Sequence, residues 1–425
     1  MAAMDDRGRE AARRVGRRRG PAPALVLACA CALIGGCVGP TAIKQTRMKY
    51  NEVYRSTNDE QLLMNVVRLR YADSPVFIDL PTITSQFEVS SRGNYFGGFG
   101  NQYRGRSSLG TGELSYRDTP TLSYHPREGR EIARALLTPL SAELFSVVNA
   151  GANTEQLLLM TLNDINDVPN AARATTLTPR IADDNAVFRR GVQLLATLQE
   201  RDGIELAVTT TDEAENASDP IPIDAIQGRD LLGAAKDGYA YRAKGEDQVT
   251  LVKRERELVF RIRPRFVHAP EMEELCRVFR LSPGLSQYKI KSELAEDVSH
   301  TLPGALGNDT IYLNMRSVLQ IMVFLSKGVC VPTEHVVSGV APVTPAQDGR
   351  PYDWTRITQG VFFVHSQKHK PKGAEVAVLY RGYWFFISQT DVNSRAVLAI
   401  LEMLFSLQDS DSKSVGPVLT LPVGG

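Results

Sequence analysis

Val376-Ala377-Val378-Leu379-Tyr380-Arg381-Gly382-Tyr383-Trp384-Phe385-Phe386-Ile387 is the stretch on which the fold reading turns. Two runs rich in β-branched and aromatic residues flank Arg381-Gly382, a two-residue hairpin signal. Asp391 then opens a helical pattern in which Val397, Leu398, Ile400, Leu401, Leu404 and Phe405 form one apolar face. A hairpin followed at once by an amphipathic helix predicts an α+β fold of antiparallel hairpins and packed helices. Trp384, Phe385 and Phe386 are expected to pack in its core rather than offer a contact surface.

The same mixture extends toward the amino terminus. Ser317–Lys327 reads as a strongly apolar helix closed by Gly328 in a left-handed cap. It is too short to span a bilayer, so it is expected in the core. Ser338–Pro351 reads as a loop. Glu271–Leu281 and residues 184–201 and 224–236 read as helices, Ile204–Val208 as a strand, and Val249–Val252 with Leu258–Ile262 as a hairpin. Helices are expected over about 128–137, 141–149 and 153–163, with Ser141 and Asn153 as N-caps. Leu62, Leu63, Val66, Val67 and Leu69 keep helical spacing from Thr57 to Tyr71.

Between these helices, Val76–Leu80 and Gln86–Val89 read as strands. Leu114, Tyr116, Leu122 and Tyr124 alternate around Asp118-Thr119-Pro120, which predicts a pair turning there. Residues 91–112 interleave seven glycines with Tyr95, Phe96, Phe99 and Tyr103. That composition predicts a flexible excursion between strands, and alternatively a loop that touches membrane or a partner. Soft boundaries near 180 and 268 divide the body into an N-terminal domain (51–180), a middle domain (181–268) and a C-terminal domain (269–425).

The amino terminus carries a different signal. Residues 1–20 hold seven arginines, and Ala24–Ile34 is a short apolar run that ends in Leu33-Ile34-Gly35-Gly36-Cys37. Positive charge followed by a short apolar core is what export machinery reads. The segment resembles bacterial lipoprotein signal peptides. That resemblance implies a signal peptide over 1–36, a diacylglycerol on Cys37 and a tether over 37–50. Val38 rather than aspartate after the cysteine implies the outer membrane, facing the periplasm. Several acyl chains at one residue give stable anchoring, since each buried CH₂ is worth about 0.8 kcal/mol.

Composition narrows the function classes. The whole chain has 49 basic and 48 acidic residues; beyond residue 36 these become 42 and 45, a net charge of −3. There is no basic surplus for a nucleic-acid footprint. Of five cysteines, only Cys276 and Cys330 lie beyond Cys37. Both adjoin apolar runs, which favours two separate buried thiols, although an exported chain can also oxidise them to a disulfide.

The chemistry-bearing motifs are weak. Gly-x-Ser-x-Gly is absent. Ser286-Gln287-Tyr288-Lys289 matches Ser-x-x-Lys but sits in a strand pattern, where those two side chains do not meet. His365 and His369 have zinc-ligand spacing, yet Lys368, Lys370 and Lys372 crowd them with positive charge. Asp164, Asn166 and Asp167 lack the glycine and distal glutamate of a calcium loop. Arg68 and Arg70 beside Tyr71 suggest a structural ion pair with a buried carboxylate. No cofactor or metal site is expected.

Asn65–Tyr71, Pro120–Tyr124, Tyr380–Ile387 and Leu419–Val423 resemble a group of uncharacterised bacterial lipoproteins. The resemblance implies an envelope location and no particular activity. The expectation is a lipid-anchored structural, assembly or binding factor with an envelope protein partner. The alternatives are an envelope hydrolase drawing on Ser286, Asp79, Glu88 or His125, and an accessory subunit of an export or efflux assembly.

Overall fold

The computed structural model describes residues 38–96, 109–126, 129–141, 153–213, 218–245, 247–292 and 309–410. Their fold is α+β. A long helix, α1 (Val38–Arg70), takes in both the expected tether and the helix expected from Thr57. Thr57 does not start it; its hydroxyl donates back to the carbonyls of Val53 and Tyr54 one turn earlier. The chain divides into two units, Met1–Asn58 and Asp59–Gly425.

β1 (Ile78–Phe96) and β2 (Leu109–Pro126) pair antiparallel as a separate two-stranded sheet. The ladder runs unbroken from Thr82↔Ser123 to Phe96↔Leu109. This corrects two expectations. Asp118-Thr119-Pro120 is no turn: these residues lie within β2, opposite Phe87, Gln86 and Ser85. A proline fits there because the outer edge of a two-stranded ribbon has no partner for its missing N–H. Residues 91–96 and 109–112, expected within a glycine-rich loop, are ladder; the intervening 97–108 lie outside the described residues.

α2 (Arg130–Leu137) follows, and then α3 (Thr154–Thr161), N-capped as expected by Asn153, which accepts from the Gln156 amide at 3.1 Å. The helix expected over 141–149 falls outside the described residues after Ser141.

The main sheet draws on β3 (Leu162–Ile165), β4 (Val168–Pro169), β5 (Ile204–Glu213), β6 (Ile221–Pro222), β7 (Tyr239–Ala243), β8 (Gln248–Ile262), β9 (Gln287–Ser292) and β10 (Thr310–Met315). Its order is β4-β3-β10-β9-β8-β5, with β6 and β7 also on β8; only β9 and β10 run parallel. Residues 180 and 268, the expected boundaries, both fall inside the span that supplies this sheet. β8 is one continuous strand where a hairpin was expected. Its charged middle is registered against an acidic partner, Arg254 opposite Asp212 and Lys253 opposite Glu213 on β5. Opposite charges across a ladder favour extension over a turn. Between the strands, α4 (Ala186–Glu200) packs on α6 (Pro270–Val278), bridged by Arg190–Glu274 at 2.7 Å and Arg201–Glu271 at 2.6 Å. A short α5 (Gly228–Lys236) precedes β7.

α7 (Val318–Ser326) is apolar all round and buried, as such a helix must be. Ser317 and Gln320 close a capping box at its start. Gly328 just beyond its end is not left-handed, which corrects the expected cap. A Cβ there would lie 2.3 Å from the Phe362 carbonyl oxygen, so glycine serves close approach instead. The bond from the Val364 amide to the Gly328 carbonyl, at 3.0 Å, uses that proximity. α8 (Thr333–Val337) follows.

The last sheet, in the order β11-β13-β12, contains β11 (His365–Gln367), β12 (Ala374–Tyr380) and β13 (Tyr383–Ser388). Arg381 (φ 47°) and Gly382 (φ 82°) form the expected turn, both with positive φ. α9 (Val392–Ser410) then buries Val397, Leu398, Leu401 and Leu404 on its expected face. One core joins the Leu62–Leu69 part of α1, α7, α9, the main sheet and the last sheet.

Candidate functional site

Of the residues weighed for catalysis, the structure brings together only Asp79 and His125, as register partners. Cys37 lies outside the described residues. Asp79 faces His125 in the β1–β2 register, but Glu88 is opposite Arg117, farther along the ribbon. Ser286 is elsewhere, immediately before β9, its carbonyl accepting from the Ile262 amide at 2.9 Å. Lys289 pairs with Glu257 at 3.6 Å, not with Ser286. His365 stacks on Phe386, with ring centroids 5.1 Å apart, and Lys368 beside it pairs with Glu334. No group of three metal-ligating side chains occurs among the described residues. Asn166 and Asp167 form the positive-φ turn between β3 and β4. Asn166 is consumed there by the Phe279 carbonyl at 2.8 Å and the Tyr312 amide at 2.7 Å.

The cysteines and the aromatic run need partial correction. Cys276 and Cys330 are both free thiols; Cys276 is buried, 3.3 Å from the Tyr288 hydroxyl, but Cys330 is exposed. Burial pushes the Cys276 thiol up from its ordinary value. Phe385 is fully buried, whereas Trp384 and Phe386 are only half-buried.

Arg68 and Arg70 do not make the expected ion pair with a carboxylate among the described residues. Arg68 donates to the Asn65 side chain at 3.2 Å and Arg70 to the Pro342 carbonyl at 3.0 Å. Arg70 belongs to a pattern that the sequence reading missed, in which buried cations rest on backbone carbonyls. Arg316, fully buried, donates to the carbonyls of Leu159 (2.9 Å), Met160 (3.2 Å) and Asn170 (2.6 Å) and to Asn163 Oδ1 (3.1 Å). Its guanidinium also lies 4.1 Å from the Phe324 ring centroid. Burial lowers its pKa to about 9, and the Asp164 charge offsets part of that. Lys327 donates to the carbonyls of Thr176 (2.8 Å) and Leu177 (3.3 Å), and its burial, with the Arg70 charge, lowers it to about 7. The signal for Arg316 was a lone arginine between a strand and an apolar helix. These cations tie loops to the core and leave no open face for a ligand.

Between α3, α4 and the main sheet lies a cleft of about 100 Å³. Leu158, Leu195, Phe260, Ile290 and Ile311 wall it, and Thr154, hydrogen-bonded to Gln199, sits at its rim. A cavity of about 150 Å³ holds a benzene ring, so this space suits only a small apolar group. Ser286, Asp79, Glu88 and His125 do not line it.

The β1–β2 ribbon is the feature that the fold does not use up. Its root is fixed. Asn65 on α1 exchanges two hydrogen bonds with the Val76 backbone, at 2.8 and 2.9 Å, and Gln61 accepts from the Ile78 amide at 2.7 Å. Phe77 stacks on Phe405 of α9 with centroids 4.8 Å apart. Next to this root, Asp73 accepts from the Tyr380 hydroxyl and from Arg381 at 2.9 Å, and Tyr71 lies 2.7 Å from His335 Nδ1. Burial raises the Tyr71 phenol above its ordinary value, so it stays a hydrogen-bond donor at neutral pH. The arginine of this clasp also holds the Asp73 carboxyl below the usual carboxylate range, second to the Tyr380 hydrogen bond.

From that root the unbroken ladder extends about 50 Å at the usual rise per residue. Neither strand pairs with any third strand among the described residues. An isolated two-stranded hairpin is marginal in water, and an open edge is a template for pairing. Searches of protein-family models, of curated proteins and of solved structures find no match to this chain.

Proposed function

We propose that this chain is a lipid-anchored protein of the bacterial cell envelope, held through Cys37 at the outer membrane and facing the periplasm, that works by binding as a structural or assembly factor. The observation that supports a binding role is the β1–β2 ribbon, rigidly rooted and paired with no third strand among the described residues. The support for the anchor remains the Gly35-Gly36-Cys37 sequence after an apolar run. No helix among the described residues is long and apolar enough to cross a membrane.

Two measurements test the reading. Cys37→Ala should leave the chain unprocessed and reduce its membrane fraction; processing and retention as in the parent chain would overturn the anchor. A photo-crosslinking residue at Gln86 or Thr121, used in living cells, should capture a protein in near-stoichiometric amount. Equal capture from a probe on exposed Leu232 of α5, far along the chain from the ribbon, would overturn the assignment of binding to the ribbon.

A further inference from the structure

The ribbon's register sorts its residues into two chemically opposite faces. Successive strand residues fall on alternate faces, and the pairs in the ladder share a face. Phe87, Val89 and Tyr95 of β1 therefore lie on one face with Leu114 and Tyr116 of β2. Glycines and serines fill most of its remaining positions beyond Phe87, and Asp118, opposite Phe87, is the charge that bounds it. The other face carries Glu88, Arg92 and Asn94 with Glu113 and Arg117, and turns apolar only at the terminal pair Phe96↔Leu109. Its charges are matched across the ladder: Glu88 is opposite Arg117, and Arg92 is opposite Glu113.

We infer that the partner of this ribbon is the same ribbon from other copies of the chain, closed edge to edge into a barrel that crosses a lipid bilayer. This rests on the envelope-anchored binding role above. Four features support it together. First, β1 of one copy beside β2 of the next continues the antiparallel order, and a head-to-tail contact of this kind closes into a ring. Closure removes both open edges at once. Second, a barrel in lipid alternates apolar-outward and polar-inward residues, which is the alternation found. Third, Phe87–Phe96 pairs with Leu109–Asp118, ten residues on each strand. A membrane-crossing strand needs about 9–11 residues. Asp118 then sits at the rim, where charge costs least. Fourth, the charges of the polar face are matched pair by pair, Glu88 opposite Arg117 and Arg92 opposite Glu113, so the face stays charged and hydrated without carrying net charge into the bilayer. A soluble sheet partner would cover the apolar face alone and leave an edge open.

The test uses the full lipidated chain and vesicles of phosphatidylethanolamine and phosphatidylglycerol loaded with a fluorescent dye. The chain should release dye and run as a detergent-resistant oligomer. Val89→Arg, on the apolar face, should reduce release at least tenfold. Ser90→Arg, one residue on and on the polar face, should keep release within twofold. Thermal unfolding of each variant, followed by tryptophan fluorescence, should match the parent chain, which separates insertion from folding. Membrane binding without release, a monomer on the vesicle, or equal loss from both arginines overturns the barrel. In cells, a ribbon crosslink to a different envelope protein overturns the barrel while the assembly role stands. No ribbon crosslink at all overturns both.

Discussion

The ribbon and the body solve the same problem in opposite ways. In the body the deeply buried cations are closed off internally: Arg316 spends its donors on three carbonyls and a side-chain amide, and Lys327 rests on two carbonyls. In the ribbon the two strands pair with each other and, among the described residues, with no third strand on either side. On the proposed reading the body holds the stability of the chain, and the ribbon holds its capacity to associate. Changes in the first should move unfolding and leave association intact; changes in the second should do the reverse.

The largest effect on the body is expected at Arg316. Arg316→Met removes the donors of several buried acceptors while keeping the apolar volume against Phe324. Each buried acceptor left without its donor costs about 1–3 kcal/mol, so the variant should unfold at much lower urea or fail to accumulate. A variant with a near-parental urea midpoint would show that the body is not held as described.

Lys327 gives the next effect, and its sign depends on pH. Its folded pKa of about 7 lies below the unfolded value of 10.5, so the unfolded chain binds the extra proton between these values. Stability should rise with pH through that window, by about 2–3 kcal/mol from pH 7 to 9. Lys327→Met should flatten the rise in urea midpoints across that range. A rise of equal slope in the variant would assign the dependence to another group. Gly328→Ala comes third: its Cβ would meet the Phe362 carbonyl oxygen, and overpacking of this kind costs roughly 1–3 kcal/mol. Dye release per folded molecule should stay unchanged in both variants.

The parts of this architecture that the sequence disclosed are those fixed by local rules. The Arg381-Gly382 turn needs two positive φ values, which that pair accepts. The apolar face of α9 and the capping box of Ser317 are written in consecutive turns of helix. The failures share a cause, because each depended on a partner distant in the chain. β8 looked broken because its charged middle has meaning only beside Asp212 and Glu213 of β5. Asp118-Thr119-Pro120 looked like a turn because its place in a ladder depends on β1. Gly328 looked like a cap because Phe362 was not in view. Arg316 went unnoticed for the same reason: its acceptors come from Leu159 to Asn170. For the candidate site, composition predicted a flexible excursion over residues 91–112 and only alternatively a contact segment, and the two-faced alternation emerged only when β1 and β2 were registered against each other.

The smallest expected effect is the sharpest test of the division between ribbon and body. Ile78 and Pro126 are opposite each other at the base of the ladder, so a short Gly-Ser linker can join Phe77 to Arg127 with residues 78–126 removed. The clamp of Asn65 on Val76 and the stacking of Phe77 on Phe405 survive this excision. The Gln61 bond to the Ile78 amide is lost, an exposed contact worth about 1 kcal/mol at most. The excised chain should unfold within about 1 kcal/mol of the parent and run as a monomer on and off vesicles. If it instead unfolds several kcal/mol earlier, the ribbon is part of the core, its apolar face is covered by the body, and its open edges are no longer evidence for a partner. If it unfolds normally yet still oligomerises on membranes, the association surface lies elsewhere, and the opposition between a closed body and an open ribbon does not describe how this protein works.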